Sequence, residues 1–238
     1  MNKIVLLLSG LMLIAMTSCT EKAEKPKVIY DSSKKAPIVA KVDTTQIEVA
    51  DLPILISGTS YLIHPIGDVR VFNGSRSAYR SGSAAGVSYT ISNYSEFEIT
   101  GFLRNFKFQQ IDSDSLSTLT DKQVLIQSAT CVIPNLNRDR QVMIYSLADM
   151  DTNKDGKLDD NDIKSLYIST VSGEKFTKLS VDFEELVDWK FIETKNRIYF
   201  RTIEDTNKNG EFDKDDVVHY NYADLNNEEW KVTSYNPV

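Results

Sequence analysis

From about Val42 onward, short runs of β-branched and aromatic residues alternate with clusters of Gly, Asn, Asp and Ser. Tyr61–His64, Val87–Ile91, Phe97–Thr100, Val124–Gln127, Val142–Tyr145, Ile198–Arg201 and Trp230–Thr233 carry the two-residue period of strands. Successive side chains of such a run point to opposite faces, one of which is buried. No stretch of a dozen residues carries a helical stripe, and Asp182–Val187 offers one or two turns at most. The pattern predicts a mainly β protein.

The runs also repeat. Gln123–Gln127, Val142–Leu147, Ser165–Ser169 and Lys175–Leu179 are matched in order by Val187–Ile192, Ile198–Ile203, Val217–Tyr222 and Trp230–Thr233. In both sets an acidic loop separates the second run from the third; the two loops begin at Asp151 and Asp205, 54 residues apart. Four antiparallel strands in about 50 residues is the size of a propeller blade. Upstream, Pro53–Ile56, Ser60–His64, Val87–Ile91 and Phe97–Thr100 follow the same order, with residues 68–86 in place of the acidic loop. The fold expected is therefore antiparallel, four-stranded, blade-like repeats, either propeller-like or a sandwich. Three units fall short of the four to eight with which propellers close, so the closure of the sheets is left open.

The acidic loops carry the chemistry. Each places oxygen-bearing side chains at positions 1, 3, 5, 9 and 12, with Gly at 6 and an apolar residue at 8. Ca²⁺ takes six to eight oxygens, and a loop of this spacing turns alternate side chains inward while Gly makes the sharp turn. The first loop offers Asp151, Asn153, Asp155, Asp159 and Asp162, with the backbone carbonyl of Lys157 at position 7. The second offers Asp205, Asn207, Asn209, Asp213 and Asp216, with the carbonyl of Glu211. Two structural calcium ions are expected. Asp at position 12, where an EF-hand has Glu, points to modest affinity, and four carboxylates against three make the first loop the tighter.

The 238 residues carry a net charge of −7 with a pI near 5.0. That balance argues against nucleic acid, which is met by a basic face. At the N-terminus Asn2 and Lys3 precede an apolar run from Ile4 to Ala15 and then Met16-Thr17-Ser18-Cys19. This is the tripartite pattern of a signal peptide, too short for the roughly 20 residues of a membrane span. Because it ends on Cys it resembles a bacterial lipoprotein signal, with Met16 where Leu is usual. The resemblance implies lipidation at Cys19, a membrane partner through that lipid, and, with no Asp directly after Cys19, the bacterial outer membrane. Residues 19–41 are rich in Lys, Glu, Ser and Pro and read as a disordered tether. The expected organisation is a leader over 1–18, the tether over 19–41, an N-terminal β region over 42–120 and two calcium-loop repeats over 121–238. Cys131, between Thr130 and Val132, is expected as a buried, inert thiol.

The two loops resemble EF-hand-like loops of bacterial extracytoplasmic proteins, dockerins among them. Dockerins place a helix after each loop, whereas strand-like Leu166–Ser169 and Val218–Tyr222 follow here, so cohesin docking is not expected. With the lipoprotein leader, the stretch Gln123–Val238 looks like uncharacterised Bacteroidetes lipoproteins with propeller-like repeats, a resemblance that implies no activity.

Nothing points to catalysis. His64 and His219 both fall in strand-like runs, and no nucleophile elbow, zinc-protease helix or phosphate loop occurs. Tyr145, Tyr167, Tyr199, Tyr220, Trp189 and Trp230 recur in the repeats and are expected in the core. The function expected is that of a non-catalytic, calcium-stabilised envelope lipoprotein. The alternative is a surface module binding glycan or an envelope protein through Arg70, Arg76 and Arg80; the bland reading of that loop is a surface insertion.

Overall fold

The computed structural model describes residues 25–30, 47–72, 86–134 and 140–238. The N-terminal strands are β1 (Glu48–Ala50), β2 (Ile54–Leu55), β3 (Tyr61–Asp68), β4 (Arg70–Phe72), β5 (Gly86–Ser88), β6 (Ser92–Tyr94), β7 (Glu98–Gln110) and β8 (Leu116–Thr118). The first loop-bearing repeat is β9 (Leu125–Val132), β10 (Val142–Ala148), β11 (Ser165–Thr170) and β12 (Thr177–Lys178). The second is β13 (Glu184–Ile192), β14 (Arg197–Glu204), β15 (Val217–Asp224) and β16 (Val232–Ser234). The chain is mainly β, and every pairing between these strands is antiparallel.

A ten-stranded sheet runs β1-β3-β7-β9-β10-β11-β12, with β2 added to β3 and with β6 and β8 added to β7. A separate four-stranded sheet runs β13-β14-β15-β16, and β4 pairs only with β5. Neither larger sheet closes on itself. The two loop-bearing repeats are thus meanders of four consecutive strands, but the first is continuous with the N-terminal region, because β7 pairs with β9 across residue 120. The upstream runs do not form a third meander. Val87 belongs to the β4–β5 hairpin, and Ile99 and Thr100 lie in the 13-residue β7, which skips past that hairpin to pair with β3. Asp182–Val187, the candidate helix, gives way to β13, whose register with β14 supplies the backbone bonds a lone helical turn lacks.

Strands β9, β10 and β11 are buried on both faces. Met143, Tyr145 and Leu147 of β10 join Ala129, Cys131 and Tyr167 in one core, against Ile63, Ile99, Phe106 and Phe108 from the N-terminal strands. Val142 and Ile144 join Leu166 and Ile168 in a second core, against Leu186, Ile198, Phe200 and Ala223 of the four-stranded sheet. Alternation sends Met143, Tyr145 and Leu147 to one core and Val142 and Ile144 to the other, and Ala148, past an irregularity at Ser146–Leu147, joins Leu125 and Leu158. Tyr145 is fully buried, its hydroxyl 2.8 Å from Ser169 Oγ and its ring edge-on to Phe176. Cys131 is a free, buried thiol whose pKa burial pushes up to about 11.

The aromatic residues divide against expectation. Tyr145 and Tyr167 are in the core, and Trp189 and Trp230 pack half-buried against the second core. Tyr199 and Tyr220 instead lie on the outer face of the four-stranded sheet, where Tyr235 stands edge-on to both. Tyr199 occupies the repeat position of Tyr145, but no N-terminal strands cover that face of the second repeat. Arg197 stacks 4.2 Å from the ring of the neighbouring Tyr222 instead.

Because adjacent β10 residues serve different cores, Met143→Ala and Ile144→Ala are each expected to cost about 2–5 kcal/mol in urea unfolding. A sheet buried on one face would lose stability at only one of the two positions.

Candidate metal-binding loops

The first loop joins β10 to β11 and the second joins β14 to β15, so both sit at the tip of the central hairpin of their meander. Their backbones take one conformation. Position 4 is left-handed in both, Lys154 at φ 57° and Lys208 at φ 58°, and so is position 6, Gly156 at φ 85° and Gly210 at φ 88°. Their hydrogen bonds agree at most positions, although Asn209 N also donates to Asp205 Oδ1 at 3.2 Å where Asp151 Oδ1 has no partner. Gly156 N donates to Asp151 Oδ2 at 2.9 Å, and Gly210 N to Asp205 Oδ2 at 2.7 Å. Asp155 N donates to Asn153 Oδ1, and Asn209 N to Asn207 Oδ1, both at 2.9 Å. Lys157 N donates to Asp155 Oδ1 and Glu211 N to Asn209 Oδ1. Asn161 N and Asp215 N donate to the position 9 carboxylates, Asp159 and Asp213.

Position 12 closes each loop. Asp162 accepts from Thr152 N at 2.7 Å with one oxygen and from Asp159 N at 3.0 Å with the other; Asp216 does the same with Thr206 N at 3.1 Å and Asp213 N at 2.9 Å. The side chains at 1, 3, 5, 9 and 12 are thus held by the loop's own amides, and a carboxylate oxygen bonded once retains further acceptor capacity.

The loops differ in depth. In the first, Thr152, Asn153 and Asp162 are buried, and Leu158 at position 8 packs with Leu125 and Ala148. In the second only Asp205 and Gly210 are buried. Burial raises the Asp162 pKa above the ordinary carboxylate value, against the lowering effect of the amides of Asp159, Thr152 and Asn153. Asp151 Oδ1 is buried and has no hydrogen-bond partner. Such an atom loses its hydration without replacement, at a cost of about 1–3 kcal/mol or more for a charged group, and a hard cation at the loop centre would restore it. The donor set, all oxygen, fits calcium.

Carboxylate spacing is a separate matter. Among the described residues, the trio of carboxylate or imidazole ligand atoms lying within 4.8 Å of one another is Glu184, Glu204 and His219, not a set from either loop. That trio comes together through the register of β13, β14 and β15. Its members already bond each other or a neighbour: His219 Nε2 is 2.9 Å from Glu204 Oε2, and Glu184 accepts from Thr202 Oγ1. The sequence holds no sign of it, since the three residues are far apart along the chain.

A further element reaches both loops. Lys27–Tyr30, inside the stretch expected as a tether, lies between them. Lys27 N donates to Asn161 O at 3.4 Å and Ile29 N to Thr152 O at 2.8 Å in the first loop, whereas Val28 N donates to Gly210 O at 3.1 Å in the second. Thr152 Oγ1 donates to Lys27 O at 3.1 Å, and Val28 is 2% exposed. The pKa of Tyr30 is pushed up to about 12, first by burial and then by the charge and hydrogen bond of Asp205. The apolar Val28-Ile29-Tyr30 amid Lys and Glu was the signal for this segment. As for the arginine loop, its residues 73–85, Arg76 and Arg80 among them, lie outside the described residues, and Arg70 falls in β4. Cys19 also lies outside them.

Compared with known protein families, with curated proteins and with solved structures, the chain matches none.

A Cβ on Gly156 would meet nothing within 4 Å, whereas one on Gly210 would lie 2.5 Å from Val28 O. Gly156→Ala should therefore cost only its left-handed strain, about 1–2 kcal/mol, and Gly210→Ala distinctly more. Equal losses in urea unfolding of calcium-free protein would mean that Val28 does not seat on Gly210.

Proposed function

We propose that this protein is a non-catalytic calcium-binding lipoprotein of the bacterial cell envelope, in which calcium has a structural role. The observation that supports the reading is the match of the two loops, in backbone conformation at positions 4 and 6 and in the amides that hold the side chains at positions 1, 3, 5, 9 and 12, with Asp151 Oδ1 left buried and unpartnered in the deeper one. Asp151, Asn153, Asp155, Asp162 and the Lys157 carbonyl would hold one ion, with Asp159 acting through a water. Asp205, Asn207, Asn209, Asp216 and the Glu211 carbonyl would hold the other, with Asp213 in the water-mediated place. Bound there, the ion supplies positive charge and oxygen coordination, and no reaction is assigned to it.

The structural need is local. Each twelve-residue loop lies in a connection between strands, and within the loops only Leu158 of the first contributes a buried apolar side chain. Both are built on side-chain acceptors, four of them carboxylates in the first loop and three in the second. A divalent cation would offset that negative charge and favour the folded loop by mass action.

Melting in millimolar calcium should exceed melting in chelator. At a hundredfold excess over Kd each of the two sites adds about 2.7 kcal/mol, so the shift should be on the order of 10–20 °C for a domain of this size. The double variant Asp162→Ala, Asp216→Ala should lose the shift, and identical melting of the wild-type chain in both buffers would refute the structural role.

The envelope location rests on the leader and Cys19. No helix among the described residues is long and apolar enough to cross a membrane; the lipid anchor is proposed on the leader and Cys19 alone. The six residues from Cys19 to Lys25 span at most about 20 Å. The two loops, which Lys27–Tyr30 touches, would then face the bilayer at short range. Cys19→Ala should move the protein from the detergent phase to the aqueous phase in a partition assay of cell extracts; partition indifferent to Cys19 would rule the anchor out.

A further inference from the structure

The segment Lys27–Tyr30 bonds to both loops in alternation. The amides of Lys27 and Ile29 point to the first loop and the amide of Val28 to the second. That is the two-residue period of an extended strand, whose successive N–H groups point in opposite directions. The contacts fall on functional parts of each loop. Thr152, which donates to Lys27 O and accepts from Ile29 N through its carbonyl, also donates its own amide to Asp162. Gly210, which accepts from Val28, donates its own amide to Asp205. Thr152 and Gly210 therefore also fix a carboxylate at position 12 or position 1, and Asn161, which accepts from Lys27 N, donates its own amide to Asp159 at position 9.

Side chains reinforce the seat. Val28 is buried against the second loop, where only a residue without a Cβ leaves room for its carbonyl. Tyr30 continues over that loop, with Lys208 Nζ 6.0 Å from its ring. The first loop is tied onward as well: Lys164 N, just past Asp162, donates to Glu185 of β13 at 2.5 Å, and Lys164 O accepts from Leu186 N.

We propose that Lys27–Tyr30 is a strap that couples the two loops, so that calcium binds them cooperatively and strap docking depends on their occupancy. The inference rests on the calcium reading above and adds a regulation to it. The physical argument is linkage. A segment that bonds only to the ordered form of both loops is stabilised by whatever orders either, and each ion then improves the other's site by the same factor. Without the strap, the loops belong to hairpins of two different sheets, and each would order alone. Its docking also determines whether the Lys27–Val28 peptide bond is exposed. Lys27 is a trypsin site, whereas Lys25 is shielded by the Pro26 that follows it.

Two measurements on the mature chain test this with Ca²⁺ itself. In calorimetric titration the wild-type protein should take up two ions with a Hill coefficient above 1. Val28→Asp, which puts a charge in the strap's buried seat, and Ile29→Pro, which removes the amide that reaches Thr152, should each weaken the affinity of both loops at least about fivefold and return the coefficient to 1. In parallel, trypsin cleavage after Lys27 in the wild-type chain should slow at least about fivefold when calcium is added, a readout that needs no variant to fold. Two ions bound independently, with affinities untouched by either substitution and cleavage indifferent to calcium, would overturn the coupling while leaving the calcium reading intact. No calcium uptake by the wild-type chain would overturn both.

Discussion

The fold depends on burying β9, β10 and β11 from both sides. A strand with one wet face tolerates polar residues at every second position, whereas Val142–Ala148 and Ser165–Ser169 are buried or nearly so throughout. This three-stranded wall belongs to two cores at once. The N-terminal strands curl over one face and the β13–β16 meander packs on the other, so neither part has a core without it. The loss of either cover would leave a row of large apolar side chains in water at about 25 cal/mol per Å².

The same wall places the loops. The first loop leaves the tip of β10–β11, the most buried hairpin, and the second leaves β14–β15, the central hairpin of the sheet packed on it. Both tips come within reach of one short extended segment, and Lys27–Tyr30 fills the interval. The deeper setting of the first loop explains why its Asp162 carries the larger desolvation burden while its counterpart Asp216 stays half-exposed. Lys27–Ile29 bind loop backbone and the Thr152 hydroxyl, and the candidate ligands are other atoms of the loops. Peptide docking and ligand geometry therefore share residues without competing for the same atoms.

The repeat accounts for what looks irregular on the outside. Tyr145 and Tyr199 hold the same place in their meanders, yet one is enclosed and the other lies in an open group with Tyr220, Tyr222 and Tyr235. The second repeat keeps the aromatic residue and packs it against the rings of Tyr222 and Tyr235 instead of a second sheet, while the cation of Arg197 lies over Tyr222. Its hydroxyl-bearing face can remain at the surface because tyrosine tolerates water at one end and apolar contact along the ring.

What the sequence determined by itself is what short range encodes: the strand segments, by their two-residue period, and the loop conformation, by Asx side chains and glycine spaced within twelve residues. Every hydrogen bond that shapes Asp151–Asp162 or Asp205–Asp216 from within is local, so it was legible before any fold was known. Tertiary structure alone decided which partner covers each buried face, that β7 bypasses the β4–β5 hairpin to pair with β3, and that Val28 leaves a charged, proline-bearing stretch to lie against Gly210. Period reveals that a face is covered but not by what, and average composition over 19–41 conceals three apolar residues whose contacts lie more than a hundred positions away. Long-range contact is a property of the assembled sheets, and no window along the chain contains both sides of it.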